Sequence, residues 1–328
     1  MPVAKPVMDP PFNIVRVSHV DFAVTDLEAS RSFYVDCLGL HVTAESNERI
    51  YLRGIEERNH HSIVLTRAPD PLVRSMGFKV ASEEDLDRAA FWFDKRGLRA
   101  DFVERPHQGR TLQAVDPLGM PIEFYYTMEH VPTKLQRYAE HRGARIQRID
   151  HVNCFTPDVQ VSHDFYTGIG FRVTEYTETE DAVDPKLWAI WMHRKGNVHD
   201  LAFTNGAGPR LHHIGMWTAT PLDILHICDV MATSGYLKNM ERGPGRHGIS
   251  NAFFLYIRDP DGHRVELFTS DYLTADPDNE PIRWTLRDPQ RQTLWGHPAP
   301  QSWFEEGSLF EGAEAVAPVL EAQPIVAR

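Results

Sequence analysis

The sequence predicts an α+β fold in which four βαβββ modules form two similar domains, followed by a C-terminal arm. An internal repeat divides most of the chain into two copies, each copy alternates strand-like and helix-like segments, and each closes with an Asp-Pro-x-Gly turn. Self-similarity of this kind indicates duplicated structural units. The region after Tyr272 matches neither copy and is rich in proline, so we interpret it as an arm.

The first module of each copy begins with a strand and a helix. HVDFAVTDLEASRSFYVDCLGLHV starts at His19, and HVNCFTPDVQVSHDFYTGIGFRV starts at His151. Both segments share a Phe-Tyr pair, and Gly39 and Gly170 stand where a left-handed residue would end each helix. The T-x-x-E spacing at Thr25 is that of a capping box, which predicts Thr25 as the N-cap of the first helix.

The second module of each copy aligns over its first half without a gap. Residues 59–82 correspond to residues 197–220, a constant shift of 138 (197 − 59). Each segment leads into an amphipathic pattern, EEDLDRAAFWFDKRG in the first copy and PLDILHICDVMATSG in the second. The copies end alike, with DPLGMPIEFYY from Asp116 and DPDGHRVELFT from Asp259. Both tetrads suit type I turns that lead into a strand.

These patterns divide the chain into three parts. We assign residues 12–142 to an N-terminal domain, residues 143–272 to a C-terminal domain and residues 273–328 to the arm. Three tryptophans in the arm predict that it packs across the second domain. The stretch 311–328 is rich in Ala, Glu and Pro and has no aromatic residue after Phe310, so we predict a mobile tail there.

Composition and charge exclude several classes of protein. The 328 residues include 34 Lys and Arg against 46 Asp and Glu, a formal charge of −12, whereas non-specific binding of nucleic acid needs clustered basic residues. The start MPVAKPVMDPPF lacks the apolar stretch of a signal peptide, and no apolar run reaches the ~18 residues of a membrane span. Three cysteines without C-x-x-C spacing favour free thiols. We therefore expect a cytoplasmic protein that binds neither nucleic acid nor membranes.

Histidine is the unusual residue of the composition, with 17 in the chain. Histidine is the commonest metal ligand and an acid–base group near neutral pH. In the second copy, His151 lies on the first predicted strand, His213 on the strand before the fourth helix, and Glu266 on the last strand. Two histidines and a carboxylate form the facial triad of non-heme iron oxygenases.

The first copy is an internal control for this interpretation. His19 and Glu123 correspond to His151 and Glu266, but Ser75 replaces the remaining histidine. The first copy therefore keeps two of the three candidate ligands, which predicts that only the second copy holds a metal. Scattered His and Glu residues also occur as hydrogen-bonded core residues, so spacing alone leaves both interpretations open.

Three further polar residues accompany the candidate triad. Tyr256 stands where the first copy has Gln113, and His199 has a counterpart in His61. His247 lies in RGPGRHGISN, a Gly-rich loop that the first copy does not reproduce. Tyr256 and the loop that contains His247 thus occur only in the second copy, which has the complete candidate triad.

The second copy resembles a known signature. It has GRH at 245–247, then Leu255-Tyr256 after seven residues, DPDG after two more, and Glu266 after a further three. This order is similar to the signature of type I extradiol ring-cleavage dioxygenases in the vicinal oxygen chelate superfamily. The resemblance covers residues 14–303 and looks strongest toward the homoprotocatechuate (3,4-dihydroxyphenylacetate) 2,3-dioxygenases, through segments such as RIDHVNCFTPD, WMHRKGNVHD and GPRLHHIG.

The resemblance implies a reaction and a role for each site residue. The reaction is extradiol cleavage of a catechol by O2 to a hydroxymuconic semialdehyde, at Fe(II) or Mn(II). The implied roles are metal binding by His151, His213 and Glu266, acid–base catalysis by His199, hydrogen bonding to the substrate oxygens by Tyr256 and His247, lining of the pocket by Asn153 and Trp191, and binding of the substrate carboxylate by Arg242 with Arg291. It also implies a homotetramer and a first domain without a working metal site.

Two positions depart from the family pattern. Gln292 stands where the close family usually has a second arginine that helps to hold the substrate carboxylate. A catechol with another, neutral 4-substituent therefore stays open as the substrate. Phe268 stands where tyrosine is usual, which removes a hydroxyl from the outer shell of the metal.

Other functions on the same scaffold are a glyoxalase-type isomerase or hydrolase and a non-catalytic binding protein, because a fold does not determine a function. His199, His247 and Tyr256 favour ring cleavage over the first alternative. Retention of the whole triad in one copy argues against the second, since a binder does not need it. The ligand set suits both Fe(II) and Mn(II) and does not choose between them.

Overall fold

Two β-sheets with helices packed on them build the molecule, which confirms the predicted α+β fold class. The computed structural model describes residues 3–181 and 183–321. One sheet has eight strands and the other has ten. No helix among these residues combines the length and the apolar composition needed to cross a membrane.

The first sheet is made of two similar halves. Its eight strands are β1 (Ile14–Val24), β2 (His41–Glu45), β3 (Arg49–Arg53), β4 (Ile63–Arg67), β5 (Leu72–Val80), β6 (Ala100–Arg105), β7 (Gln108–Val115) and β8 (Pro121–Tyr125). Their spatial order is β2-β3-β4-β1-β5-β8-β7-β6, with β1 and β5 antiparallel at the centre. β4 is parallel to β1, and β8 is parallel to β5. Each half therefore consists of four consecutive strands, as one βαβββ module requires.

The second sheet repeats this arrangement and gains two strands from the arm. The repeated strands are β9 (Ile146–Thr156), β10 (Arg172–Glu178), β11 (Leu187–His193), β12 (Leu201–Asn205), β13 (Arg210–Thr218), β14 (Met240–Arg246), β15 (Phe253–Arg258) and β16 (Arg264–Thr269). The spatial order is β14-β15-β16-β13-β9-β12-β11-β10. From the arm, β17 (Ile282–Thr285) adds parallel to β10, and β18 (Ser308–Leu309) adds antiparallel to β13.

One helix follows the first strand of each module. These helices are α1 (Leu27–Arg31), α2 (Glu83–Asp94), α3 (Val159–Gly168) and α4 (Pro221–Thr233). α1 continues as a π-helical turn over Ser32–Cys37, and the arm contains α5 (Gln301–Glu305). Short 3₁₀ turns occupy Tyr138–Glu140, Leu237–Asn239 and Ile249–Asn251.

The ends of the first helix of each domain test the sequence signals for helix limits. Gly39 and Gly170 have φ of +85° and +96°, which confirms the predicted left-handed stops. The predicted N-cap at Thr25 is wrong. Asp26 caps α1, because its carboxylate accepts from two N–H groups of the first turn. Thr25 instead donates from its backbone and its hydroxyl to Asp261 of the second domain.

Aromatic side chains join the two domains in one apolar core. Trp92 packs edge-on against Phe165, with ring centroids 5.6 Å apart. Phe78 packs in the same way against Phe171, at 5.8 Å. The interface therefore buries large apolar area, the main stabilising contribution in folding.

Motifs shared by the two copies also cross this interface. The hydroxyl of Tyr34 donates to Asp259 at 3.0 Å, and the hydroxyl of Tyr166 donates to Asp116 at 3.4 Å. Each tyrosine belongs to the repeated Phe-Tyr pair, and each aspartate begins an Asp-Pro-x-Gly turn. The repeated motifs therefore bond reciprocally, each domain's tyrosine to the other domain's turn.

The arm lies along the second domain. Residues 311–321, which we predicted to be mobile, are held by backbone hydrogen bonds: Val316 exchanges two with Gly208, at 2.8 and 3.0 Å, and Val319 donates to Pro157 at 2.9 Å. Backbone groups of Gly208 and Pro157 thus pair with the backbone N–H and C=O groups of this stretch. The amino-acid composition of the stretch does not reveal these hydrogen bonds. Residues 322–328 of the predicted tail lie outside the described residues. The predicted domain limits fall between β8 and β9 and between β16 and β17, and they stay predictions.

Candidate active site

Three neighbouring strands of the second sheet carry the candidate triad. His151 on β9 lies opposite Gly215 on β13, which lies opposite Glu266 on β16. His213 is two residues before Gly215, so both face the same side of the sheet. A Cβ atom on Gly215 would overlap the ring of His151. Glycine at this position therefore lets the ring pass over β13 toward Glu266.

The donor atoms of the triad converge on one point. Nε2 of His151 is 3.3 Å from Nε2 of His213 and 3.0 Å from Oε2 of Glu266, and His213 Nε2 is 3.2 Å from the same oxygen. Metal–ligand bonds of roughly 2.0–2.2 Å at right angles place neighbouring donors about 3 Å apart. All three residues are buried. They therefore fit one divalent ion held on one face, with its other positions open.

Hydrogen bonds determine the tautomer of His213. Nε2 of His212 lies 2.6 Å from the carbonyl oxygen of Trp303 and must donate to it. Nδ1 of His212 then has a lone pair and accepts from Nδ1 of His213, also at 2.6 Å. Burial lowers the pKa of His212 well below its usual value and that of His213 to about 4, so both rings are neutral at neutral pH. Nε2 of His213 keeps the lone pair that a metal ligand needs.

The charges around His151 favour a cation between it and Glu266. Burial lowers the pKa of His151, but hydrogen bonds to Asp150 and Glu266 outweigh burial and raise it to about 9. Nδ1 of His151 is 3.3 Å from the buried carboxylate of Asp150. For Glu266, burial raises the pKa, but the surrounding histidines, His151 first among them, lower it well below its usual value. A bound divalent ion would supply the positive charge that these two carboxylates favour.

The first domain repeats this geometry with one ligand missing. His19, Gly77 and Glu123 lie opposite one another across β1, β5 and β8. Nε2 of His19 is 2.7 Å from Glu123, and Arg105 donates to the other carboxylate oxygen at 3.1 Å. Arg105 thus neutralises Glu123 with a protein side chain, and Ser75 provides no imidazole. This arrangement supports the prediction that the first domain has no working triad, which stays a prediction.

A partly open cavity leads to the triad and contains most of the predicted site residues. Those that line it are Asn153, Trp191, His199, His247, Tyr256 and Arg291, together with the triad itself. The ring of His199 lies 3.9 Å from that of His151, between centroids. Burial, followed by the neighbouring His151, lowers the pKa of His199 well below its usual value. His199 is therefore a neutral base beside the proposed metal position.

His247 and Tyr256 form a hydrogen-bonded pair beside Glu266. Nδ1 of His247 donates to the backbone carbonyl of Gln292, so Nε2 accepts from the hydroxyl of Tyr256 at 3.0 Å. Burial lowers the pKa of His247, which keeps the ring neutral. Because the carbonyl of Gln292 makes this contact, the identity of the side chain at 292 leaves it unchanged.

The two arginines predicted to contact the substrate occupy different positions. Arg291 lines the cavity and makes one long hydrogen bond, 3.4 Å to Thr177. Burial lowers its pKa to about 10, so it is charged at neutral pH. Arg242 does not line the cavity: it donates to Thr293 at 2.7 Å and lies 4.6 Å from the centre of the Trp303 ring. The structure thus places Arg291 at the cavity wall and Arg242 behind it.

Phe268, at the position where the family pattern has tyrosine, makes an apolar contact with His151. Its ring centroid is 4.8 Å from that of His151, at an interplanar angle of 65°. The side chain lines the cavity next to the triad. An aromatic edge thus replaces the hydroxyl that the family pattern would place there.

Trp303 is one of the site residues that sequence reasoning missed. Its side chain lines the cavity, and its carbonyl orients His212. The only sequence signal was the presence of tryptophans in a region without a counterpart in the first copy. Neither periodicity nor spacing connects residue 303 with residue 212.

Comparisons with known proteins agree with this geometry. A family model for the Glyoxalase/Bleomycin resistance protein/Dioxygenase superfamily matches residues 16–124 and 148–267, more than half of the chain. The chain is 31% identical over 301 residues to a manganese-dependent 2,3-dihydroxybiphenyl 1,2-dioxygenase of Geobacillus genomosp. 3, which covers 87% of this chain and 94% of the relative.

Two solved structures are similar over nearly the whole chain. One is homoprotocatechuate 2,3-dioxygenase from Brevibacterium fuscum in complex with 3,4-dihydroxyphenylacetate, at 43% identity and a TM-score of 0.89, covering 96% of this chain and 99% of that one. The other is homoprotocatechuate 2,3-dioxygenase from Arthrobacter globiformis, at 44% identity and a TM-score of 0.89, covering 93% and 94%. The chain therefore belongs to the glyoxalase/bleomycin resistance protein/dioxygenase superfamily and, within it, to the extradiol ring-cleaving dioxygenases.

Proposed function

We propose that this dioxygenase cleaves 3,4-dihydroxyphenylacetate with O2 at a single Fe(II) or Mn(II) ion, giving a hydroxymuconic semialdehyde. The observation that carries the proposal is the convergence of the three triad donors, which lie 3.0–3.3 Å apart, in a cavity that Arg291 also lines. The ligands in this proposal are His151, His213 and Glu266. The resemblance to an enzyme solved with this catechol bound supports the choice of substrate.

His151, His213 and Glu266 would hold the metal ion, which would supply Lewis-acid chemistry for a catechol and O2 at its open positions. Tyr256 and His247 would hold the substrate oxygens, because their hydroxyl and ring nitrogen meet at 3.0 Å beside the triad. His199, a buried neutral imidazole, would accept a proton during ring activation and return it later. Trp191 and Asn153 would orient the ring by lining the cavity.

Arg291 would be the main contact for the substrate carboxylate. Its side chain lies on the cavity wall, and its Nε atom has no hydrogen-bond partner among the described residues. Arg242 would support it from behind, since two of its nitrogen atoms, Nε and Nη1, also have no partner within the described part of the chain. Gln292 lines the cavity next to Arg291 but contributes no charge, whereas the family pattern has a second arginine at its position.

The neutral side chain at Gln292 favours a second candidate substrate, a catechol with a neutral 4-substituent. A comparison of kcat/KM for 3,4-dihydroxyphenylacetate and 4-methylcatechol decides between them. We expect the acid to be preferred in the parent enzyme and the preference to shrink in Arg291→Met. A clear preference of the parent enzyme for the methyl compound would overturn the carboxylate assignment.

The reaction itself is tested by metal analysis under anaerobic conditions, followed by an assay of catechols for O2 uptake and a yellow product. We expect one Fe or Mn per chain at the triad and uptake of one O2 per catechol. Absence of O2 uptake with every catechol, by protein loaded with Fe(II) or Mn(II), would reject the proposal.

We also propose that the chain works as a cytoplasmic homotetramer. The sequence resemblance supports this assembly. Large apolar side chains exposed on the arm region, such as Leu273 at 75% and Trp295 at 49%, support a role for the arm in subunit contacts. Sedimentation equilibrium of the purified protein would give the mass of four chains, and a monomer would contradict the proposal.

A further inference from the structure

We propose that the first domain carries a second metal site, formed by His60, His107 and Glu129, for a late first-row divalent cation of the Zn²⁺ class. One donor atom from each of these residues lies within 4.8 Å of the other two. Imidazole and carboxylate donors are typical ligands of Zn²⁺. The cluster lies in a different sheet from the triad, so the inference does not depend on the proposed function.

The framework of the cluster is built from three chain segments. His60 lies between β3 and β4, His107 lies in the turn between β6 and β7, and Glu129 follows β8. The backbone N–H of Glu129 donates to the carbonyl of His107 at 2.9 Å. The next residue, His130, forms a β-bridge with Asn59, beside His60. Backbone hydrogen bonds therefore hold all three donors near each other before any ion binds.

The turn at His107 brings its side chain next to the other two donor residues. His107 has φ of +63°, a left-handed conformation that is costly for a residue with a Cβ atom and that recurs at functional positions. In this conformation its ring lies face to face with that of His60, with centroids 3.8 Å apart. Its Nδ1 atom is 3.1 Å from the carboxylate of Glu129.

The donors are available to an ion from solvent. His60 is the buried member of the cluster. The side chains of His107 and Glu129 are 30% and 62% exposed. Ring lone pairs lie in the ring planes, so two stacked rings bind one ion after His107 rotates, and its exposure leaves room for that rotation.

The site differs from the first-domain counterpart of the triad. There, Arg105 already neutralises Glu123 at 3.1 Å. At the proposed site, the carboxylate of Glu129 is paired only with His107 among the described residues. A divalent ion bound here would cross-link the β6–β7 turn to the segment after β8 and so stabilise the first domain.

The test is zinc binding by the purified protein with its own metal content determined first. The protein is equilibrated with ZnCl₂, and bound zinc and the original metal are counted per chain by mass spectrometry. We expect one zinc in addition to the original metal. Glu129→Gln and His107→Asn, which tolerates the left-handed backbone, should weaken this zinc binding by at least ~10-fold.

Two further variants make the result unambiguous. His130→Ala removes an exposed histidine next to the cluster and should keep the additional zinc. His213→Ala disables the triad and should keep it as well. Equal zinc binding by the parent protein and Glu129→Gln, or loss of all zinc in His213→Ala, would overturn the inference.

Discussion

The role proposed for His199 depends on the residues around it. Its counterpart in the first copy is also a histidine, so sequence comparison between the copies does not separate a catalytic residue from a structural one. In the structure, His199 lines the cavity 3.9 Å from the ring of His151, whereas the counterpart His61 contacts the ring of His19 at 5.2 Å. The triad next to His199 is complete, and the one next to His61 is not.

Replacing His199 by phenylalanine should therefore slow turnover without removing the metal. General acid–base catalysis contributes typically ~10²–10⁴-fold, and we expect a loss of kcat in that range. Stopped-flow absorbance of the product, with metal analysis on the same sample, measures both quantities. His226→Phe, at an exposed position on α4, is the matched control. Unchanged turnover in the His199 variant would make it a structural histidine.

His212 and His213 show what a sequence pattern can and cannot say about adjacent residues. Alternation along a strand predicts that only one of the pair faces the cavity, and the structure confirms this for His213. The sequence contains no signal that His212 orients its neighbour, because its partner is the carbonyl of Trp303, 91 residues away.

At the scale of the strand, glycine makes the triad possible. Gly215 and its counterpart Gly77 each lie under a histidine ring, and a Cβ atom at either position would overlap that ring. Periodicity marks both residues as strand positions but gives no reason for glycine. The reason is the ring that crosses the strand from β9 in one domain and from β1 in the other.

Gly215→Ala should displace His151 and lower the affinity for the active-site metal by at least ~10-fold, the scale on which disturbed ligand geometry acts. Gly77→Ala makes the same substitution under His19 and should lower the free energy of unfolding by ~1–3 kcal/mol while the metal content is kept. Metal titration and urea unfolding of both variants test the pair. Equal metal loss in both would contradict the assignment of the triad to the second domain only.

The arm is the element whose importance the sequence understated. Its tryptophans predicted an ordered segment packed on the second domain. In the structure, two of its backbone carbonyls, at Gln292 and Trp303, also orient His247 and His212. Every residue has a backbone carbonyl, so the residue type does not indicate which carbonyl makes such a contact, and the sequence could not predict these two.

At the scale of the whole molecule, the buried pair of His19 and Glu123 in the first domain contributes to stability. Burial raises the pKa of Glu123, but His19 and then Arg105 outweigh burial and lower the pKa to about 2. A folded pKa below the ordinary value of 4.5 means that the stabilisation is complete above pH 4.5 and is lost as the pH falls toward 2.

Glu123→Gln should lower the free energy of unfolding at pH 7 by ~3 kcal/mol, on the scale of 1.36 kcal/mol per pKa unit. The difference from the parent protein should become smaller at pH 3.5. Urea unfolding at both pH values measures it, and Glu104→Gln, at an exposed position on β6, is the control. A difference that does not change with pH would contradict an ionised Glu123 as the cause.

The reciprocal tyrosine–aspartate bonds hold the two domains together. Tyr34→Phe removes a 3.0 Å bond to Asp259, and Tyr166→Phe removes a 3.4 Å bond to Asp116. We expect Tyr34→Phe to cost about 1–3 kcal/mol and Tyr166→Phe to cost less, because its bond is longer. Thermal unfolding ranks the two against Tyr138→Phe, which alters a side chain that is 77% exposed. The reverse ranking would show that packing, not hydrogen bonding, dominates at these positions.

The sequence by itself determined the duplicated α+β architecture, the identity of the triad candidates and the asymmetry between the copies. Those properties depend on local periodicity and on the comparison of residues at equivalent positions, and both can be read along the chain. Only the tertiary structure decided that Arg291 and not Arg242 lines the cavity, that arm carbonyls set the histidine tautomers, and that Asp26 caps α1. These properties depend on which atoms meet after β9, β13, β16 and the arm have packed, and residue spacing does not encode those distances.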